Sequence, residues 1–214
     1  MTKKGLLVLV LAAAAAGGAF ALPPFHFSAG GGGYFTSDFG GGVTATYQGT
    51  TDTVKLPYAG GGGFVFLDAT YLEVSLGVFG AAGSEKFQTH TVDLSGSGLD
   101  IGFALKYPMV MSGKLLIFPL AGVTYRFMLS VKEDGFKVDN PEDLNSLWFK
   151  GGGGFDFYFT EHGFFRAQIL YGLRLEEDIE KKLISLLKRT YPGLSGSSRL
   201  GHGLEATIAL GYSF

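Results

Sequence analysis

The stretch Leu204-Glu205-Ala206-Thr207-Ile208-Ala209-Leu210-Gly211-Tyr212-Ser213-Phe214 decides the fold of this chain. Every second residue from Leu204 to Phe214 is apolar, and the residues between them are polar or small. This period of two predicts a β-strand with one apolar face and one polar face. A strand of about 9–11 residues is long enough to cross a bilayer at a tilt. The stretch therefore predicts a membrane-crossing strand that ends on an aromatic residue.

The same alternation recurs upstream in seven further segments. Glycine dilutes it in the first two, and Leu170 interrupts the polar face of the last. Pro119 lacks an N–H group, which predicts either a bulge there or a regular strand that begins later. The seven segments are 25–35, 58–67, 70–80, 99–107, 117–127, 147–158 and 163–175. With the C-terminal stretch, they predict eight strands.

The connections between these strands alternate in length. The short ones carry the turn-forming residues Asp68, Pro108, Gly113 and Gly163. The long ones are 36–57, 82–97, 129–146 and 176–200. Short turns on one rim and long loops on the other are typical of outer-membrane barrels. We therefore predict an all-β fold, an eight-stranded antiparallel up-and-down transmembrane β-barrel. A soluble barrel is the alternative, and it would turn the apolar face inward.

The N-terminal segment has the pattern of a cleavable signal peptide. Lys3 and Lys4 precede the apolar run 6–16, and Ala19-Phe20-Ala21 supplies the small-x-small pattern before cleavage. The apolar run is short for a membrane-spanning helix of about 20 residues. We therefore expect a signal peptide at 1–21 and a barrel domain at 22–214, with an uncleaved anchor as the alternative.

Composition excludes several classes of protein. The chain has 35 glycines, no cysteine and a formal charge of −2 from 17 basic and 19 acidic residues. Disulfide scaffolds and thiolate metal sites are therefore excluded, and without a basic stripe we expect no nucleic-acid partner. Runs of four glycines occur at 30–33, 60–63 and 151–154, and none continues into a phosphate-binding motif. We interpret them as room for large side chains opposite, or as the lining of a cavity or seam.

These features together resemble one known group of proteins. The signal peptide, the eight strands, the alternating connections and the terminal Tyr212-Ser213-Phe214 resemble small outer-membrane β-barrels of diderm bacteria, of the OmpA-transmembrane, OmpX and OmpW type. The stretch 118–127 is similar to a recurrent strand of that group. The resemblance implies a location in the outer membrane, contact with its lipid, and no cofactor. It also implies that Tyr212 and Phe214 form the signal read by the barrel-assembly machinery.

Charged residues collect on the polar face of the predicted strands. Five are basic and four are acidic: Glu73, Asp100, Lys106, Arg126, Lys150, Asp156, Arg166, Arg174 and Glu205. Buried charges persist when they are paired or hydrated. The near balance predicts an ion-pair network that fills the lumen. The alternative is a narrow hydrated path whose charges control the passage of small solutes.

One helix is predicted, in the fourth long loop. Within 176–191 the apolar residues follow helical spacing: Ile179, Leu183, Leu186 and Leu187. We expect this apolar face to cover the barrel mouth, to lie in the membrane interface, or to contact a partner. Trp148 is predicted to be an interface anchor.

The four histidines give no catalytic pattern. His26 and Ser28 share a strand face, but no second serine or carboxylate is tied by spacing to His26, His90, His162 or His202, so neither catalysis nor a metal site is expected. Our first functional hypothesis is an envelope structural or interaction protein whose loops contact an extracellular partner. The second is a narrow channel or carrier for small, including hydrophobic, solutes. The third is a lipid-modifying enzyme.

Overall fold

The computed structural model of the protein describes residues 25–39, 42–47, 50–55, 58–87, 90–133, 135–137, 139–175, 195–199 and 201–214. Its strands are β1 (Ser28–Phe39), β2 (Gly42–Tyr47), β3 (Thr50–Lys55), β4 (Tyr58–Ala69), β5 (Leu72–Phe87), β6 (His90–Lys106), β7 (Met109–Ser112), β8 (Leu115–Glu133), β9 (Phe136–Lys137), β10 (Ser146–Tyr158), β11 (Gly163–Arg174), β12 (Ser195–Arg199) and β13 (His202–Ser213). A short 3-10 helix spans Pro141–Leu144.

Eight of these strands close into an antiparallel barrel. Its order is β1, β4, β5, β6, β8, β10, β11 and β13, and β13 pairs with β1 to complete the ring. Starting from Met128 on β8, we can step from each residue to its paired residue on the next strand until the ring is complete. This path returns to β8 at Phe118, which is ten residues before Met128. This stagger tilts the strands by about 40° to the barrel axis. The predicted eight-stranded barrel is confirmed.

The apolar faces of the strands point outward. On β13, Ile208 is 60% exposed, whereas its neighbour Thr207 is 6% exposed and faces the lumen. The same division holds on β11, where Ile169 is exposed and Arg166 is buried. A soluble barrel has the opposite arrangement. A closed barrel with an apolar exterior and a charged interior is stable only when its exterior contacts lipid. The protein is therefore a transmembrane barrel of the outer membrane.

The height of the outer apolar surface fits a bilayer. On β13 this surface runs from Leu204 to Phe214, and both residues are exposed. Ten residue steps at about 3.3 Å, inclined at about 40°, span roughly 25 Å along the axis, the usual height of the apolar band of such barrels. Aromatic residues border it on the rim of the short connections, among them Tyr107, Phe159 and Tyr212.

The predicted long loops contain more strand than expected. β5 and β6 remain paired as far as Phe87 and His90, and β8 continues to Glu133. The segments β2, β3 and β12 form a separate three-stranded sheet. Above the membrane neither face of a strand meets hydrocarbon, so the period-two apolar pattern ends although backbone pairing continues. This is why sequence periodicity placed the strand ends too low.

Pro119 causes neither a bulge nor a late strand start. β8 begins at Leu115, and its register with β10 continues through Pro119 opposite Gly153. The regular ladder with β6 ends one step away, at Lys106 opposite Leu120, and the Pro119 carbonyl accepts a hydrogen bond from the Tyr107 N–H. The pairing with β8 resumes in the same register at Met109 opposite Ile117, so the missing N–H of Pro119 falls in the two-residue gap between β6 and β7.

Two predicted segments lie outside the described residues. The proposed signal peptide at 1–21 and the proposed helix at 176–191 are among them, so both stay predictions. Within the described ranges, no helix is long and apolar enough to span a membrane.

Candidate functional site

The lumen contains the charged residues that the sequence placed on the polar face. Among the described residues, ion pairs join eight of the nine to one another or to two further lumen carboxylates, Asp38 and Asp68. The ninth, Arg174, lies with its guanidinium carbon 5.8 Å from the centre of the Trp148 ring. The ion pairs form two clusters and one bridge between them.

The lower cluster lies towards the rim of the short connections and consists of Asp68, Glu73, Lys106, Asp156 and Arg166. Arg166 donates to Asp156 at 2.7 Å through both Nε and one terminal nitrogen, to Glu73 at 2.6 Å and to Asp68 at 2.6 Å. Lys106 also donates to Asp68. Because the acids come from β4, β5 and β10, one guanidinium on β11 ties four strands together across the lumen.

Aromatic rings pack around the same guanidinium. The Arg166 guanidinium carbon lies 4.5, 5.2 and 5.4 Å from the ring centres of Phe66, Phe164 and Phe118. The Arg166 side chain is 1% exposed. Planar cations stack favourably on such rings, and their apolar surface excludes water from the ion pairs. The lower cluster therefore closes the lumen at this level.

The upper cluster lies towards the rim of the long connections and consists of Asp38, Asp100 and Arg126, with Tyr34. Arg126 binds Asp100 through two bonds of 2.9 and 3.0 Å and reaches Asp38 at 3.4 Å. The Tyr34 hydroxyl donates to Asp100 at 3.1 Å. The Arg126 guanidinium carbon lies 4.3 Å from the Phe79 ring centre. The Asp38 side chain is 17% exposed, so this cluster is less enclosed than the lower one.

A polar cavity separates the two clusters. The Lys150 ammonium donates to Glu205 at 2.7 Å across its wall. The cavity has a volume of about 60 Å³, and Glu73, Asp100 and Gln168 line it with that pair. A water needs roughly 10–15 Å³ of such space, so the cavity has room for a few waters and none for a larger solute.

Trp148 does not anchor the protein in the membrane interface. It is 4% exposed, it faces the lumen, and its indole N–H donates to the Ser146 hydroxyl at 3.0 Å. The guanidinium carbons of Arg126 and Arg174 each lie 5.8 Å from the centre of its ring. The prediction was wrong because Trp148 and Lys150 are two residues apart on one strand and therefore face the same side. The sequence pattern had already assigned Lys150 to the lumen.

Sequence reasoning missed Asp38 and Asp68. Asp68 was assigned to a turn and Asp38 to a loop, because each lies at the end of a glycine-diluted strand. Strand parity relates both residues to lumen-facing neighbours, but only the structure shows which face of these two strands is the lumen face. Asp68 is two residues from Phe66, which is buried inside, and Asp38 is four residues from Tyr34.

The three histidines with described side chains lie at the rims. The His26 backbone N–H donates to the Thr70 hydroxyl at 2.8 Å, the His162 ring contacts the Ser213 carbonyl at 3.0 Å, and the His202 ring packs against Phe39. Within the described residues, no group of three metal-ligating side chains could hold an ion.

The two C-terminal residues of the predicted assembly signal point outward. Tyr212 and Phe214 are both exposed, and the Tyr212 ring stacks on His162. The Phe214 N–H donates to the Phe27 carbonyl at 2.8 Å, which ties the last residue to the segment before β1.

Comparisons with known proteins identify similar folds. Neither protein-family profiles nor curated protein sequences give a match. Among solved structures, the outer membrane protein OprG from Pseudomonas aeruginosa has 15% identity and a TM-score of 0.49, over 89% of this chain and 96% of that one. Neisserial surface protein A has 12% identity and a TM-score of 0.45, over 85% and 97%. The N-terminal barrel domain of Pseudomonas aeruginosa OprF has 14% identity and a TM-score of 0.36, over 86% and 99%.

Proposed function

We propose that the protein is an outer-membrane barrel with a filled lumen, which acts as an envelope structural or interaction protein. The observation that supports this role is the enclosure of Arg166. It contacts three carboxylates and three aromatic rings across the full width of the lumen. A lumen closed by a dry ion-pair cluster serves to stabilise the barrel rather than to conduct solutes.

The extension above the membrane carries the interaction role in this proposal. Strands β5, β6 and β8 continue past the apolar band, and the sheet of β2, β3 and β12 lies on the same rim. Paired strands hold a surface in a defined shape, which favours recognition of an extracellular partner. On the opposite rim, Tyr212 and Phe214 are accessible for the barrel-assembly machinery during biogenesis.

Planar-bilayer conductance of the purified protein tests the closed lumen. We expect the wild type to show no discrete conductance steps. We expect Arg166→Ala to admit ions when it folds, because the residue that spans the lumen is gone, and Arg126→Ala to stay closed behind the intact lower cluster. Heat-dependent gel mobility reports folding of each variant. Regular steps from the wild type alone would overturn the proposal, whether or not the Arg166 variant folds.

A narrow channel or carrier is the second candidate. The polar cavity of about 60 Å³ between the clusters favours it, since it gives a chain of a few waters a place in mid-lumen. Conductance by the wild type that falls in the Arg126→Ala or Glu73→Ala variants would support this candidate instead. An enzyme is not proposed, and mass spectrometry of lipid A with and without the protein tests for lipid modification.

A further inference from the structure

The outward face of β8 changes character just above Leu129. Below this point Val123, Phe127 and Leu129 are apolar and exposed. Above it, the outward positions on β8 are Ser130 and Lys132, because a bulge opposite Ser97 and Gly98 shifts the strand by one residue. The neighbouring strand β6 changes at the same level, because Ser97 and Ser95 are the register partners of these two residues. The boundary of the hydrocarbon layer therefore lies between Leu129 and Lys132 on this side of the barrel.

Two lysines face each other directly above this boundary. The β8–β9 hairpin turns at Gly135, whose φ of 83° is one that other residues rarely adopt, and it places Lys137 opposite Lys132. Both lysines are exposed. Directly opposed like charges destabilise a strand pair. Within the described residues neither lysine forms an ion pair, although the carboxylate of Asp93 lies on the outward face of β6 and accepts a bond from Ser84 at 2.5 Å.

The height of the pair corresponds to the lipid headgroups. Lys132 follows Leu129 by three residues, which the bulge shortens to two to three regular steps, or about 5–8 Å along the axis for a strand rising about 3.3 Å per residue at a tilt near 40°. The headgroup region extends roughly 5–8 Å beyond the hydrocarbon on each side. The two ammonium groups therefore lie at the level where lipid phosphates carry negative charge.

We propose that Lys132 and Lys137 form a basic pair that binds the phosphate of an outer-leaflet lipid headgroup. One phosphate between two ammonium groups relieves their repulsion and receives charge-assisted hydrogen bonds from both. The inference depends on the membrane placement of the barrel and not on whether the lumen is closed. Bound lipid would hold the β8–β9 hairpin against the membrane surface, below the extended strands.

Electron spin resonance of labelled lipid tests the pair. The full-length mature protein is refolded into phosphatidylcholine vesicles that contain a trace of spin-labelled phosphatidylglycerol or spin-labelled phosphatidylcholine. We expect a larger motionally restricted fraction for labelled phosphatidylglycerol than for labelled phosphatidylcholine, since a basic residue near the surface favours anionic lipid by about fivefold. Lys132→Gln/Lys137→Gln should lose this preference, and Lys132→Arg/Lys137→Arg should keep it.

Two controls separate the pair from general charge effects. Lys114→Gln removes an exposed lysine from the opposite rim, and it should reduce the preference less than Lys132→Gln. Inorganic phosphate should displace the label no better than chloride at equal ionic strength. Equal restriction of both labels by the wild type, an unchanged preference in the double glutamine variant, or selective displacement by inorganic phosphate would each overturn the proposal.

Discussion

The lower and upper clusters use the same chemistry in different surroundings. Each places an arginine guanidinium on carboxylates from neighbouring strands and on aromatic rings. The lower cluster holds three carboxylates and two cations with side chains 0–8% exposed, whereas Asp38 in the upper cluster is 17% exposed. When one member of a dry cluster is removed, its former partners have no water with which to form replacement hydrogen bonds. The lower cluster should therefore control both closure and stability.

Removal of Arg166 should have the largest effect on stability. Arg166→Ala leaves Glu73, Asp156 and part of Asp68 unpaired in a dry interior, which costs about 3–5 kcal/mol. Arg126→Ala should cost less, because the Tyr34 hydroxyl still donates to Asp100 and water reaches Asp38. Urea unfolding of both variants in the same vesicles measures the difference. An Arg126 variant at least as unstable as the Arg166 variant would contradict the contrast between the clusters.

Replacing glycines beside the aromatic rings with alanine should show the same contrast between the clusters, with smaller losses of stability. A Cβ at Gly211 would clash with the ring of Phe164, which is fully buried in the lower lumen and has no room to move. A Cβ at Gly172 would lie 3.1 Å from Trp148 in the upper lumen, which a small shift of the ring relieves. We expect Gly211→Ala to cost about 1–3 kcal/mol and Gly172→Ala less than about 1 kcal/mol.

The same urea titration measures both glycine variants, with the wild type as reference. Equal costs would mean that the upper lumen is packed as rigidly as the lower one, and the comparison between the two regions would then have to be abandoned.

The Lys150–Glu205 ion pair, which lies between the clusters, should contribute least to the free energy of unfolding. Lys150→Gln/Glu205→Gln keeps both side chains close to their original size and removes both charges beside a cavity with room for water. We expect a change in the free energy of unfolding of about 0–1 kcal/mol, the range typical of hydrated ion pairs. A loss comparable to that of Arg166→Ala would show that the cavity is dry and that the two clusters act as one.

Much of the barrel could be predicted from strand parity alone. The alternation at 204–214 and 163–175 assigned Ile208 and Ile169 to the lipid side, and the exposed side chains confirm this. Parity also assigned Arg166 and Arg126 to the lumen, where the structure places them. It failed where glycine or solvent removes the apolar signal, at Asp38, at Asp68 and in the strands above the membrane.

Partner choice within the lumen could not be predicted. Arg166 contacts Glu73 and Asp68 from 93 and 98 residues away in the chain. Which acid meets which base depends on the stagger of the barrel, and a different stagger would bring other residues to the same level. The stagger results from the summed register of eight strand pairs, and no single segment encodes it.

By itself the sequence determined which side of the clearly alternating strands meets lipid, because alternation along a strand is a local property. Only the tertiary structure decided that the charges divide into a dry cluster and a wetter one, that Trp148 lies near two arginines, and that two lysines meet above Leu129. These features depend on closure of the ring, which brings together side chains far apart in the chain and sets how much water reaches them.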